Sequence, residues 1–385
     1  MYLKIYIFKI YIDQITIYMK IFYDHKIYCR QNYGGPSRYF VNLSNNINKF
    51  KNVNSKIFAP YHINFFLPKN NENKILPFSK KINRSNILKR YILKINNLIN
   101  TKNLNIFKPD IVHTTYYDNS FPPKNTKSII TVFDLIHEIF SDEYGYPKNY
   151  LPKKFILENV DHIICISNST KNDLVNLYNI DKKKISVTHL ATDFDSNFKK
   201  LNLSDYGIEG KFFLYVGSRW KYKNFKKLLY ALEYNKNILN EYKLILFGGG
   251  KLTKDELNII NKTNLNKKNI IHIEGDEKIL KSLYSSAEFF IYTSKYEGFG
   301  IPILESFSQN CPVLCGTNSS LTEVGGNATL NFDTNDYTSI ASSIEKILNS
   351  RELRLDLIKK GNKQSKLFSW KKCADETLNI YKKII

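Results

Sequence analysis

Two glutamates eight residues apart, Glu297 and Glu305, frame a glycine-containing segment, SKYEGFGIPILESF. An apolar run, EFFIYTS, leads into it. Pro302 stands where the first turn of a helix begins, and Ile303, Leu304 and Phe307 continue that helix. A helix start carries free backbone N–H groups and the positive end of the helix dipole. Phe299, Gly300 and Ile301 are therefore placed to hold an anion, and Gly298 and Gly300 let a backbone approach closely. Glu297 precedes the helix and Glu305 belongs to its opening, so both can face one pocket from different directions. A carboxylate accepts hydrogen bonds from two neighbouring hydroxyls, which suits it to sugar recognition. Two exposed glutamates flanking a turn is the alternative reading of the same pattern.

Three more segments carry chemistry. In FFLYVGSRWKYKNFKKLLYALE, residues 212–233, a strand closes at Gly217 and Ser218, and Arg219 and Lys223 precede an amphipathic helix. Fixed cations at a strand end make a diphosphate clamp that needs no metal beside it. A basic turn in a basic protein is the plainer alternative. In NYGGPSRYF, residues 32–40, Gly34 and Gly35 form a turn after the first strand and open a helix. Such a loop brings a ligand close at a strand's carboxyl end, although it lacks the G-x-G-x-x-G pattern of dinucleotide folds. In GTNSSLTEVGG, residues 316–326, Ser319, Ser320 and Leu321 offer backbone N–H groups at another helix start.

These loops need strands beneath them. Short runs rich in Ile, Val, Phe and Tyr occur at 20–23, 56–59, 110–113, 129–133 and 162–166. A second series follows at 185–188, 212–216, 243–247, 270–273, 288–292 and 312–315. Runs of this kind separated by helices indicate buried parallel strands. Two series predict an α/β chain of two Rossmann-like domains with a cleft between them. The polar, aperiodic stretch near 195–210 marks the boundary. The expected division is an extension over 1–18, a first domain over 19–205, a second over 206–367, and a terminal segment over 368–385.

At 385 residues the chain is too long for one ordinary core, which agrees with two domains. The formal net charge of +22 favours acidic partners, but a Lys- and Asn-rich composition produces the same bias, so only local clusters carry weight. Five scattered cysteines argue against a disulfide framework and fit a reducing compartment. Lys4, Lys9 and Asp13 interrupt the apolar opening, no cleavage site follows, and Met19 begins a strand-like run. Residues 79–105 hold seven basic residues and no acid, with apolar positions near helical spacing. That pattern reads as a packed surface helix with a solvated basic face, or as a face that rests on anionic lipid.

Taken together, these segments resemble the GT-B, family 4 group of retaining glycosyltransferases. YEGFGIPILES resembles that family's E-x7-E segment, VGSRWKYKN its donor loop, and NYGGPSRYF its glycine loop. The resemblance runs from about Met19 to the end, and FSWKKCADETLNIYKK resembles the terminal helix that crosses back to the first domain. It implies that Arg219 and Lys223 neutralise a donor diphosphate beside Gly217 and Ser218. Glu305 then binds the ribose hydroxyls and Glu297 holds the transferred sugar. Phe299, Gly300, Ile301, Ser320 and Leu321 supply contacts to the donor, and Gly34 and Gly35 let the first domain close over it. The implied reaction keeps the anomeric configuration and uses no bound metal or cofactor. The implied co-substrate is a nucleotide sugar, GDP-mannose first or a UDP-sugar.

One position departs from the family pattern. Where relatives carry His-Asp, TVFDLIHE places Phe133 before Asp134. His137, three residues on, is the substitute for the catalytic histidine, and a helix-face or core histidine is the alternative. His113 and Tyr116, with Tyr117 and Asp118, are further candidates for the acceptor side, together with Asp134. The expected acceptor is a saccharide or lipid-linked glycan, and the expected location is cytoplasmic, with peripheral contact at the membrane's inner face. A nucleic-acid-binding protein is the competing reading from charge alone, but no helix-turn-helix, zinc-finger or RNP-type signature supports it. An inactive nucleotide-sugar-binding relative is the third reading, and the retained Glu297, Glu305, Arg219 and Lys223 argue against it.

Overall fold

The computed structural model describes residues 19–67, 79–82, 86–117, 125–144, 151–195, 197–263 and 265–385. The expected 1–18 extension and Asp118 lie outside the described residues.

The main sheet of the first domain holds six parallel strands: β1 (Met19–Tyr23), β2 (Val53–Ile57), β3 (Ile111–Thr114), β4 (Lys127–Val132), β5 (His162–Cys165) and β6 (Ile185–Val187). Their order in the sheet is β2-β1-β3-β4-β5-β6. The second domain repeats the plan with β7 (Phe212–Val216), β8 (Lys243–Phe247), β9 (Ile270–Ile273), β10 (Phe290–Tyr292), β11 (Val313–Gly316) and β12 (Thr329–Phe332), in the order β9-β8-β7-β10-β11-β12. The strand 185–188, grouped by sequence with the second series, pairs with β5 and completes the first sheet. β12 was not among the expected strands; its alternation TLNF buries Thr329 and Phe332 at its ends only, a weak apolar signal.

Helices on both faces explain why strand residues such as Ile21, Ile129, Ile163, Leu214, Ile245 and Ile291 are fully buried rather than alternating. The helices that matter for the site are α1 (Gly35–Ile47), α2 (Asn86–Phe107), α3 (Leu151–Asn159), α4 (Asn168–Tyr178), α5 (Phe225–Tyr234), α6 (Lys254–Lys262), α7 (Glu277–Tyr284) and α8 (Ile301–Ser308). A short helix, α9 (Leu321–Gly325), follows β11, and α10 (Tyr337–Asn349), α11 (Arg351–Ser365) and α12 (Trp370–Ile384) end the chain.

In each sheet the strand order reverses next to the first strand of the series. Loops leaving the carboxyl ends on either side of that point diverge and leave a crevice. In the second sheet the point lies between β7 and β10, which feed the Gly217–Lys223 turn and the Ser294–Gly300 loop. In the first sheet it lies between β1 and β3. The last helix, α12, begins at the Ser369 cap and packs against α1 of the first domain. Its Tyr381 hydroxyl reaches Tyr23 on β1 at 3.1 Å, so the terminal segment crosses back and ties the two halves together.

Candidate functional site

The turn after β7 is held from three sides. Thr293 donates its hydroxyl to the Lys223 carbonyl at 2.8 Å, and the Lys295 amide donates to the Tyr222 carbonyl at 2.8 Å. Asn224 adopts the left-handed region at φ +60°, a conformation asparagine tolerates better than most residues, and its amide donates to the Thr334 carbonyl at 2.6 Å. This turn presents Lys223 to the loop after β10, where its ammonium lies 2.5 Å from the Glu297 carboxylate. Both side chains are largely buried. Ser319 accepts the Glu297 amide at 2.9 Å, and Ser320 donates to the carbonyls of Glu297 or Phe299, each at 2.8 Å. Ser320 is thus a brace for the glutamate loop through its side chain.

Gly300 occupies the left-handed region at φ +108° and starts α8 with Ile301, as the Pro302 signal requires. Gly298 has a different constraint. A Cβ there would sit 1.8 Å from the Phe133 carbonyl oxygen of the first domain. The two domains therefore touch backbone to backbone at the loop that carries Glu297. Ser167, which caps α4, donates to the Gly298 carbonyl at 2.7 Å, and Tyr296 donates to Asp173 at 2.7 Å. Beside them Glu323 of α9 accepts the Asn168 amide at 2.9 Å and His189 Nε2 lies 2.6 Å from it. Burial alone would raise the Glu323 pKa, but hydrogen bonds from His189, Asn168 and Ser169 hold it below the ordinary carboxylate value.

Glu305 lies in α8 with its carboxyl buried beside the Tyr284 hydroxyl at 3.4 Å. Burial pushes its pKa up to about 7, against the opposing effect of the Arg38 guanidinium. Arg38 comes from α1 in the first domain. It binds Asp193 at 2.9 Å and reaches Glu277 at the start of α7 at 3.5 Å, so it spans the crevice. Arg38 lay within the quoted glycine-loop motif but received no role there, because its partners are more than 150 residues away in the chain.

Arg219 corrects the sequence expectation. Its side chain is buried and its guanidinium is engaged with partners other than Glu297. Nε donates to Glu256 at 2.9 Å, Nη1 to the Gly248 carbonyl at 3.3 Å, and Nη2 to the carbonyls of Gly250 and Lys251 at 2.7 and 3.0 Å. The loop it braces contains Gly248, Gly249 and Gly250, all at φ near +70°. A Cβ at Gly249 would meet the Gly217 carbonyl at 2.4 Å, so this loop packs directly on the turn after β7. Of the two expected clamp cations, only Lys223 faces Glu297.

On the first-domain side, Tyr116, Phe133, Asp134 and His137 line one cavity of about 170 Å³ together with Gln31 and Lys153. His137 belongs to the short helix Ile136–Ile139 and faces this space. Lys153 pairs with Glu138 at 2.9 Å and donates to the Asp134 carbonyl at 3.1 Å, fixing the floor. Phe133 packs edge-on against Tyr39 and Phe40. Gly34 lies beside the same region, where a Cβ would meet the Gln31 side chain at 2.3 Å, whereas Gly35 faces open space.

His113 is not part of this cavity, a second correction. It is fully buried on β3, with Nδ1 2.6 Å from the Tyr381 hydroxyl and Nε2 2.8 Å from the Thr131 hydroxyl. Burial pushes its pKa down to about 3, so it is a neutral core histidine with both ring nitrogens occupied.

A larger concavity of about 750 Å³ opens on the other side of the turn after β7, between α5 and α6, and reaches neither Lys223 nor Glu297. Among the described residues no group of three or more His, Cys, Asp or Glu side chains is placed to hold a metal ion.

Two parallel-sheet Rossmann-like domains with switch-point loops facing each other make the GT-B architecture of glycosyltransferases. Residues 33–196 match the family model described as Glycosyltransferase Family 4, and residues 198–364 match that of the Glycosyl transferases group 1. O-antigen chain mannosyltransferase B of Escherichia coli is 30% identical over 281 residues, 69% of this chain and 72% of that protein. The N-acetylgalactosamine-N,N'-diacetylbacillosaminyl-diphospho-undecaprenol 4-alpha-N-acetylgalactosaminyltransferase of Campylobacter jejuni is 28% identical over 63% of this chain and 68% of its own length. Sucrose-phosphate synthase from Thermosynechococcus elongatus has the same fold, with a TM-score of 0.73 at 16% identity over 95% of this chain and 99% of that one. The chain belongs to the group 1 family of glycosyltransferases.

Proposed function

We propose that this glycosyltransferase moves a hexose, mannose first, from a nucleotide-diphosphate sugar to a lipid-linked glycan, with retention of anomeric configuration. The observation that carries this reading is the Lys223–Glu297 pair at 2.5 Å, set at the switch point of the second sheet and facing the first domain. In the mechanism the acceptor hydroxyl oxygen bonds to the anomeric carbon while the bond from that carbon to the diphosphate oxygen breaks. The acceptor proton passes to the departing diphosphate. Lys223 shifts from Glu297 to the diphosphate as charge develops there, and the start of α8 adds its N–H groups. Glu297, released, holds hydroxyls of the transferred sugar. Glu305 accepts hydrogen bonds from the ribose, and the His137–Asp134–Tyr116 cavity receives the acceptor. Because Lys223 and the helix start supply the positive charge, the reaction proceeds without a metal.

Mannose is supported by the name of the Escherichia coli relative, and a lipid-linked acceptor by the diphospho-undecaprenol substrate in the name of the Campylobacter jejuni relative. Nucleotide sugars are cytoplasmic, which places the reaction at the inner face of a membrane. Among the described residues no helix is long and apolar enough to cross one.

The test is thermal melting with GDP, UDP, ADP and their sugar conjugates in the presence of EDTA, on the native chain and on Lys223→Ala. A ligand that binds only the folded state raises its melting temperature. One nucleotide class is expected to stabilise the native chain and to lose most of that effect in the variant. Release of free nucleoside diphosphate only when a glycan acceptor is added then distinguishes transfer from epimerisation. Stabilisation that vanishes with EDTA, or none with any nucleotide, refutes the proposal.

A further inference from the structure

Helix α2, Asn86–Phe107, packs on the first domain through a mixed face: Ile92 is buried, Leu104 and Phe107 pack on the Phe22, Phe58 and Val112 core, and two asparagines are buried with them. Asn96 is fully buried; its amide donates to the Tyr61 carbonyl at 2.7 Å and its oxygen accepts the Tyr61 amide at 3.0 Å. Asn100, also buried, donates to the Phe58 carbonyl at 2.9 Å. In the register these anchors help to fix, a second set of apolar residues on the opposite face is left exposed. Tyr91 is 61% exposed, Ile95 44%, Leu98 71% and Ile106 80%. With Lys102, their spacing of four, three, four and four residues draws one continuous stripe along the helix. Lys94 borders it. Over its 22 residues the helix has Lys89, Arg90, Lys94 and Lys102 and no acid.

We propose that α2 is the surface through which the protein rests on an anionic lipid bilayer. Tyr91, Ile95, Leu98 and Ile106 enter the boundary between headgroups and acyl chains, and Lys94 and Lys102 meet lipid phosphates. Charge decides between this occupant and others. A second copy of the chain would bring two acid-free basic helices together, with like charges opposed. A nucleic acid would neutralise the lysines but offer nothing to Leu98 and Ile106. A bilayer with anionic headgroups supplies negative surface and apolar depth at once. The inference goes beyond the transfer reaction and holds whatever the donor and acceptor are.

The experiment is co-sedimentation of the full chain with phosphatidylcholine vesicles and with vesicles containing 30% phosphatidylglycerol (about one lipid in three anionic, a range in which surface potential is substantial). The native chain is expected to bind the anionic vesicles and to be released by salt. The triple variant Ile95→Gln/Leu98→Gln/Ile106→Gln should lose about tenfold or more of that affinity while keeping the native melting temperature, since all three side chains are exposed. The pair Lys94→Gln/Lys102→Gln, which leaves the apolar stripe intact, should lose roughly fivefold per charge and part of the salt dependence, at about 1 kcal/mol per basic residue. Undiminished binding by both variants overturns the proposal, as does a native chain that ignores anionic vesicles. A native dimer that the triple variant converts to a monomer, without vesicle binding, assigns the stripe to self-association and overturns it too. Nucleotide-induced stabilisation retained in both variants keeps this result separate from the fate of the transfer proposal.

Discussion

Replacing Arg219 with alanine separates a clamp from a brace. As a diphosphate clamp, Arg219 would govern nucleotide affinity and leave the folded state almost untouched. As the structure places it, the guanidinium pairs with Glu256 and spans three carbonyls of the loop after β8. The arginine side chain is 3% exposed and the glutamate 12%, so neither is solvated well enough to recover its bonds in water. Removing one partner of a buried pair costs about 3–5 kcal/mol, because the other charge is left behind. Glu256 still accepts the Thr253 amide at 2.7 Å through the capping box of α6, which puts the loss at the lower end, about 3 kcal/mol. For a domain of this size each kcal/mol shifts the melting temperature by about 2–4 °C. Arg219→Ala should therefore melt roughly 6–12 °C lower by calorimetry. Nucleotide affinity, titrated well below that transition, should change by no more than about threefold, within 1 kcal/mol. A double variant, Arg219→Ala/Glu256→Gln, should regain part of the loss, since the stranded charge is gone. Unchanged melting with nucleotide binding weakened tenfold or more would refute the brace and restore the clamp.

Lys223→Ala should lower turnover by about 10²–10³-fold, the range for one electrostatic contact to a developing charge, and, because it strands Glu297 in a pair about as buried as Arg219–Glu256, it should also lower the melting temperature by an amount comparable with Arg219→Ala in the same assay. Glu305 yields a pH prediction with a definite sign. Its native pKa, near 7, lies above the ordinary carboxylate value, so its contribution to stability is full at acid pH and is lost as pH rises toward 7. Ribose hydroxyls donate to the ionised carboxylate, so nucleotide affinity should rise about tenfold from pH 6 to pH 8, and Glu305→Gln should flatten that rise. Gly298→Ala forces a Cβ onto the Phe133 carbonyl at 1.8 Å and must push the domains apart. Overpacking of this kind costs about 1–3 kcal/mol, and turnover should fall more than nucleotide affinity if, as proposed, the nucleotide contacts lie in the second domain and the acceptor cavity in the first. Equal loss of both would place the strain within the second domain alone.

Much of the site was legible because it rests on local rules. The Pro302 signal, the glycine before it and the apolar run EFFIYTS are short-range features, and the structure forms β10, the left-handed Gly300 and α8 from them. The same is true of the Lys223 turn, where Asn224 and the following amphipathic helix declare themselves within ten residues. The doubly wound plan followed from the number and spacing of apolar runs, since a buried parallel strand is recorded in its own composition.

What the sequence could not determine was direction. Arg219 and Lys223 are both cations in one turn, and nothing local says that one faces Glu297 and the other Glu256, 37 residues on. His113 ends a strand near the crevice as a catalytic histidine would, yet Tyr381, 268 residues later, closes over it. Arg38 reads as part of a glycine loop until Asp193 and Glu277 meet it from the end of the first domain and from the second domain. Sheet membership of 185–188 likewise waited for its partner in β5. Periodicity and turn chemistry depend on neighbours in the chain, so the sequence by itself determined the elements, the two-domain class and the loops that carry the chemistry. Burial and pairing depend on neighbours in space, so only the tertiary structure decided which side chain in each loop faces the crevice and which is used up in holding it open.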